Sequence, residues 1–207
     1  MNTIFLSASI PEKSRDPKYW ETCDIISIRD CVISLVQVCI KRNIRIVWGG
    51  HPAITPLVYC AIENLCSPED KNSKYIKQSI QKFVHVFQSN FFSRKFPQDN
   101  NKFENITVIP AGDDAKSSLR IMRNSMLDSE SFYAGIFIGG MEGVEEEYEL
   151  FKEKHPNAYL LPIASTGAAA GIIYESQRDA YDFSMELKYN NAYYSLFDRL
   201  LTREPIY

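Results

Sequence analysis

Short apolar runs alternate along the chain with longer segments whose apolar positions recur every three or four residues. This is the pattern of a parallel sheet covered by helices on both faces. Thr3 to Ser7 reads as a first strand that closes in Ala8-Ser9-Ile10-Pro11, and a polar loop follows. Ile25 to Lys41 reads as a helix, with Ile28, Val32, Leu35, Val36 and Cys39 on one face. Ile44 to Trp48 reads as a second strand stopped by Gly49-Gly50, and a helix from Pro52 or Thr55 to Cys66 carries Leu57, Val58, Ala61, Ile62 and Leu65. A proline near its start suits a first turn. Strands at Phe83–Phe87 and Ile106–Ile109 flank a polar stretch, Ser89 to Asn105, whose form the pattern leaves open. The spacing then predicts a helix over 113–126, a strand over 134–138, a helix over 144–154 and a strand over 158–163. An Ala-rich helix follows Ser165-Thr166-Gly167, and Asn191 to Thr202 closes the chain as a helix with Tyr194, Phe197, Leu200 and Leu201 on its apolar side. No repeat, linker or domain boundary is visible. The expected architecture is a single α/β domain over 1–207: a Rossmann-like, doubly wound, mostly parallel sheet with helices on both faces.

Composition agrees with one core of ordinary size. The 207 residues are 45% hydrophobic, with only 9 Gly and 10 Pro, which excludes a disordered or collagenous chain. A net charge of −3 gives no whole-molecule basic field, so neither nucleic acid nor an anionic membrane is an expected partner. The five cysteines, Cys23, Cys31, Cys39, Cys60 and Cys66, are odd in number, lack a CxxC pair and fall mostly in apolar helical segments. Buried free thiols and a reducing cytoplasm are expected. Met1 to Pro11 has no basic region or long apolar run, so it is not read as a signal peptide. Cys31 to Ile40, the longest apolar stretch, is too short to span a bilayer.

The informative feature is one arrangement met three times: a buried strand, then small residues, then a helix. It occurs at Gly49-Gly50-His51, at Gly139-Gly140-Met141-Glu142-Gly143 and at Ser165-Thr166-Gly167. Helix starts of this kind offer unpaired N–H groups and the positive end of the dipole to an anion. In a parallel sheet all three loops lie on one rim, where ligands bind at the switch point. Each loop alone is ordinary turn chemistry; the three together point to a phosphate-bearing ligand. Ser7 and Ser9, at the end of the first strand, are further candidates, although serine is also common turn material. Ser165 and Thr166 equally suit helix capping, which uses the same N–H groups. His51 is expected in the crevice, His85 in the core, and His155 at a helix C-terminus in a dipole role. The sequence contains neither GxxxxGK[ST] nor GxGxxG, no metal-ligand spacing and no nucleophile motif, so no cofactor, metal or catalytic triad is expected. The aromatic C-terminus, with Tyr193, Tyr194, Phe197 and Tyr207, suits a core stripe better than a subunit interface.

Arg123-Asn124-Ser125-Met126 and Gly139-Gly140-Met141-Glu142-Gly143-Val144-Glu145-Glu146-Glu147 resemble motifs of the SLOG superfamily, which includes LOG-type nucleotide phosphoribohydrolases and the nucleotide-sensing domains of bacterial conflict systems. LOG enzymes carry Arg-Lys-x-x-Met upstream of a strand ending PGGxGTxxE. Here the Arg-to-Met spacing is one residue shorter, with Asn for Lys. One extra residue separates the glycine pair from Gly143, Val144 replaces Thr, and Gly49-Gly50-His51-Pro52 replaces a longer glycine run. The resemblance covers about residues 3 to 175 in order of elements and is closer to the sensing branch.

The resemblance implies that Arg123 contacts phosphate and Glu147 a ribose, with Glu146 the alternative if the extra residue shifts the register. A guanidinium gives two directed donors to phosphate, and a carboxylate accepts from hydroxyls or stabilises an oxocarbenium-like centre. Successive helix residues point about 100° apart, so at most two of Glu145, Glu146 and Glu147 face the crevice. Two functions stay open, beside a third possibility, a pure interaction protein with an empty crevice. One is a sensor or sequestering domain for an ADP-ribose or cyclic ADP-ribose type ligand in antiphage signalling, acting through a homo-oligomer or a separate effector protein. The other is an N-glycosidic-bond hydrolase or transferase acting on nucleotides.

Overall fold

The computed structural model describes residues 1–65, 82–96, 98–181 and 184–202; Cys66 and Tyr207 lie outside them. Among the described residues, β1 (Thr3–Ser9), β2 (Arg45–Trp48), β3 (Val84–Ser89), β4 (Ile106–Ile109), β5 (Ala134–Gly139) and β6 (Tyr159–Ile163) form one sheet in the order β4-β3-β2-β1-β5-β6. Every pairing is parallel. The order runs outward from β1 to β4 and then jumps back across β1 to β5. The switch point therefore lies between the carboxyl ends of β1 and β5, where Ser9 pairs with Gly139.

Alternation along the strands assigns the two faces. Ile4 and Leu6 of β1, with Ala134, Ile136 and Ile138 of β5, enter a core shared with α2 (Ile25–Lys41) and α3 (Thr55–Leu65). Phe5 and Phe137 point the other way, toward α4 (Ala115–Leu127), α5 (Glu142–Lys154) and α6 (Ala168–Gln177). There the rings of Phe5 and Phe151 stack at 5.4 Å. Gly135 lets Phe151 approach, since a Cβ at that position would stand 2.8 Å from its ring.

Several details differ from the sequence expectation. β1 continues through Ser9, β3 through Ser89, and α5 begins at Glu142 rather than Val144. The polar loop after β1 holds a short helix, α1 (Pro17–Trp20), because Asp16 caps the Lys18 amide and Pro17 supplies a preset first turn. The described part of the stretch after Ser89 holds two 3-10 segments, Asn90–Lys95 and Gln98–Lys102. After α6 comes a further short helix, α7 (Ser184–Tyr189), and then α8 (Tyr193–Leu200), which buries Tyr193, Phe197 and Leu200 in the core shared with α2 while Tyr194 stays partly exposed. No helix among the described residues is long and apolar enough to cross a membrane.

Candidate functional site

A cleft of about 580 Å³ opens over the carboxyl ends of β1, β2, β3 and β5. A second cavity, of about 550 Å³, lies at the amino ends of the strands beside Thr3, Phe132 and His155, away from the switch point. The first is the candidate site, in the size range of small-molecule pockets.

At its centre stands a chain of hydrogen bonds drawn from three distant parts of the sequence. Ser7 of β1 donates to Glu147 Oε2 at 2.6 Å, and Arg123 Nε of α4 donates to Glu147 Oε1 at 3.1 Å. Arg123 also pairs with Glu146 and donates to the Gly143 carbonyl at 3.5 Å. The Arg123 side chain is 9% exposed, that of Glu147 15% and that of Glu146 54%. Glu147 is thus held by two donors, whereas Glu146 is the outer, replaceable partner of the guanidinium. The 100° step between helix residues turns Glu145 elsewhere. It accepts from the Tyr19 hydroxyl at 2.6 Å, beneath α1.

Ser9, Gly49, Gly50, His51, Arg123, Gly143, Glu146 and Glu147 all line the cleft. Ser7 does not; it is buried below Glu147. Gly139 and Gly140 form the turn beneath. Gly139 has φ +54°, and a Cβ there would stand 2.4 Å from Ile28 Cδ1 and 2.9 Å from the Ser9 carbonyl. Met141 precedes α5 at its N-cap position without a side-chain cap, and Met141, Glu142 and Gly143 face the cleft. The Val144 and Glu145 amides bond the Met141 carbonyl, which leaves those of Glu142 and Gly143 to meet an anion.

The third predicted loop is elsewhere on the same rim, and the chain itself covers it. Thr22 Oγ1 accepts from the Ala168 amide at 3.1 Å, the amide that opens α6. Gly167, with φ +69°, lies so close to Thr22 that a Cβ would be 1.8 Å from its carbonyl oxygen. Ser165 bonds the Tyr193 hydroxyl at 3.0 Å. Thr166 accepts from the Gly139 amide at 2.9 Å and donates to the Ile163 carbonyl at 2.6 Å. These three residues therefore tie β5, β6 and the strap of residues 10–24 together, outside the cleft.

Residues not singled out in the sequence complete the lining. Arg15 and Lys116 add positive charge, Glu142 pairs with Arg15, and Gln88, Ser89, Phe92 and Phe96 form the side under β3. Gln88 and Ser89 were within reach of strand-end reasoning, had β3 been extended two residues past Phe87. The cleft's charged side chains balance: Arg15, Lys116 and Arg123 against Glu142, Glu146 and Glu147. His51 adds little charge at neutral pH. Burial pushes its imidazole below the ordinary value, against a smaller opposing pull from Glu12. Its Nδ1 accepts from the Ala53 amide at 3.2 Å. His85 bonds Thr107 at 2.8 Å, and His155, at the end of α5, bonds the Leu127 carbonyl at 2.9 Å.

Among the described residues, no group of three His, Cys, Asp or Glu side chains is placed to hold a metal ion. Cys23, Cys31, Cys39 and Cys60 are free thiols, and burial pushes those of Cys31 and Cys39 well up, which disfavours the nucleophilic thiolate.

The sequence profile of the SLOG cluster3 family matches residues 18–201. No curated protein matches the chain. Among solved structures, the X-ray structure of TM1055, a structural-genomics target, is similar with a TM-score of 0.57 at 11% identity, over 97% of this chain and 99% of that one. At that identity the likeness is one of fold.

Proposed function

Because the chain belongs to the SLOG cluster3 family, we propose that its β1/β5 cleft binds a nucleotide-derived small molecule of the ADP-ribose or cyclic ADP-ribose class, as a sensor or sequestering domain in bacterial antiphage signalling. Membership supports a function in nucleotide-related binding or N-glycosidic chemistry. The observation that carries the binding reading is the Ser7–Glu147–Arg123 chain at the switch point. Two donors fix both Glu147 oxygens, and their remaining lone pairs suit the hydroxyls of a ribose. Phosphate goes to the outer side of Arg123, where it replaces the half-exposed Glu146, and to the uncapped start of α5. A cleft of balanced charge suits a guest that brings both an anion and a polyol better than a bare polyphosphate. The signal then passes to a separate effector protein or through a homo-oligomer.

The alternative is cleavage of the N-glycosidic bond, and retention of the Arg123–Glu147 pair favours it. The glutamate would then stabilise positive charge developing at C1′ as the base leaves. Incubating the protein with a nucleotide panel, followed by chromatography and thermal melting, separates the two. Binding predicts an intact ligand that raises the melting temperature, and loss of that rise in Glu147→Ala. Release of free base establishes the alternative, and a panel that neither reacts nor stabilises overturns both.

A further inference from the structure

On the reading just given, the polar end of the cleft accounts for sugar and phosphate and leaves the base unplaced. The opposite side is of different chemistry. Phe92, within the 3-10 segment Asn90–Lys95 that springs directly from the end of β3, and Phe96, the extended residue that closes it, line that side. Both rings are only partly buried, so ring surface remains for a guest. Phe91 packs edge-on against Phe92 from outside, with centroids 5.0 Å apart and planes at 73°. The segment is anchored at its start by Ser89, whose hydroxyl accepts from the Phe91 amide. Next to this wall, Gln88 is 7% exposed, and its amide nitrogen donates to the Gly49 carbonyl at 2.7 Å. That bond fixes the amide and leaves its Oε1 as the group to meet a donor.

We propose that the end of β3 and the stretch that follows it, Gln88 to Phe96, are the base-recognition element of the cleft: Phe92 and Phe96 offer ring surface on which a planar heteroaromatic base stacks, and Gln88 Oε1 accepts from an exocyclic amine such as that of adenine. Every base has a π-face, so the rings supply affinity while Gln88 supplies preference. Recognition is thereby divided, with the motif-bearing loops holding the sugar and phosphate, the two rings holding the base and Gln88 at the end of β3 choosing it.

The test is calorimetric titration of ADP-ribose into the full chain and into Phe92→Ala, Phe92→Leu and Phe92→Trp, with Phe96→Ala as an independent second site and Glu147→Ala as the control for the sugar contact. Stacking predicts that Ala and Leu each weaken binding by about tenfold or more while Trp keeps it. A wall that only fills space predicts instead that Leu is tolerated and the bulkier Trp is worst, and that order overturns the inference. Unchanged affinity in both alanine variants, with binding lost in Glu147→Ala, also overturns it while sparing the cleft reading. If the unaltered protein does not bind ADP-ribose, both fall together.

Discussion

Arg123 shows how little a single residue's identity says about its role until its neighbours are known. As an arginine on an amphipathic helix it suits a solvated face, and Arg120, one turn earlier, is exposed. Yet Arg123 is buried because two carboxylates and a backbone carbonyl meet its guanidinium. Removing it leaves Glu147 with only Ser7 as donor in a poorly solvated place. Arg123→Ala should lower stability by about 1–3 kcal/mol, read as a shift of the urea midpoint at unchanged slope. Glu147→Gln keeps the shape and an acceptor oxygen and should lose less. An Arg123→Ala protein as stable as the original would mean that the pair does not hold the site. The Arg-to-Met spacing and the acidic run were readable as motif fragments; which glutamate faces inward was narrowed by helix geometry but decided by the register of α5.

At the scale of elements, the least anticipated part is the strap between β1 and α2. Its polar sequence reads as loop, yet Tyr19 is buried among the α5 and α6 side chains and Thr22 closes the start of α6. The strap explains why one of three similar strand-helix junctions is closed to the cleft. Gly167→Ala forces an alanine into φ +69°, ψ −156°, a region essentially confined to glycine, against the Thr22 carbonyl. The conformational cost alone is about 1–3 kcal/mol, and the melting temperature should fall by several degrees. Hydrogen exchange at residues 19–24 should quicken at the same time. Thr22→Val removes only the hydroxyl and should lose about 1 kcal/mol. Should Gly167→Ala leave both melting and exchange unchanged, the strap does not hold that loop.

For the whole molecule, pH tests where two partly buried histidines sit, His85 among them although its place in a strand suggests the core. His51 and His85 both titrate below the ordinary value of about 6.5, His51 through burial and His85 through burial with the nearby Arg45 charge. The unfolded chain therefore binds more protons than the folded one as pH falls through about 6.5 toward the folded values, and stability should decline in that window. Asp24, Asp114 and Asp198 are held below the usual carboxylate range by their hydrogen-bond partners, with Arg42 acting on Asp198, so they stay ionised there and do not mask the effect. Melting temperatures from pH 7 to 5 should fall, and less steeply in His51→Gln; equal slopes would place the effect elsewhere. The sequence by itself determined the strand and helix alternation, the parallel sheet and the first two glycine-bearing strand ends, because periodicity and turn chemistry act between near neighbours along the chain. Only the tertiary structure decided that Ser7, Arg123 and Glu147 meet, that Thr22 fills the third junction, and that Phe92 and Phe96 reach the cleft. Those contacts join residues far apart in the chain, and their geometry follows from strand order and helix docking, which no local pattern encodes.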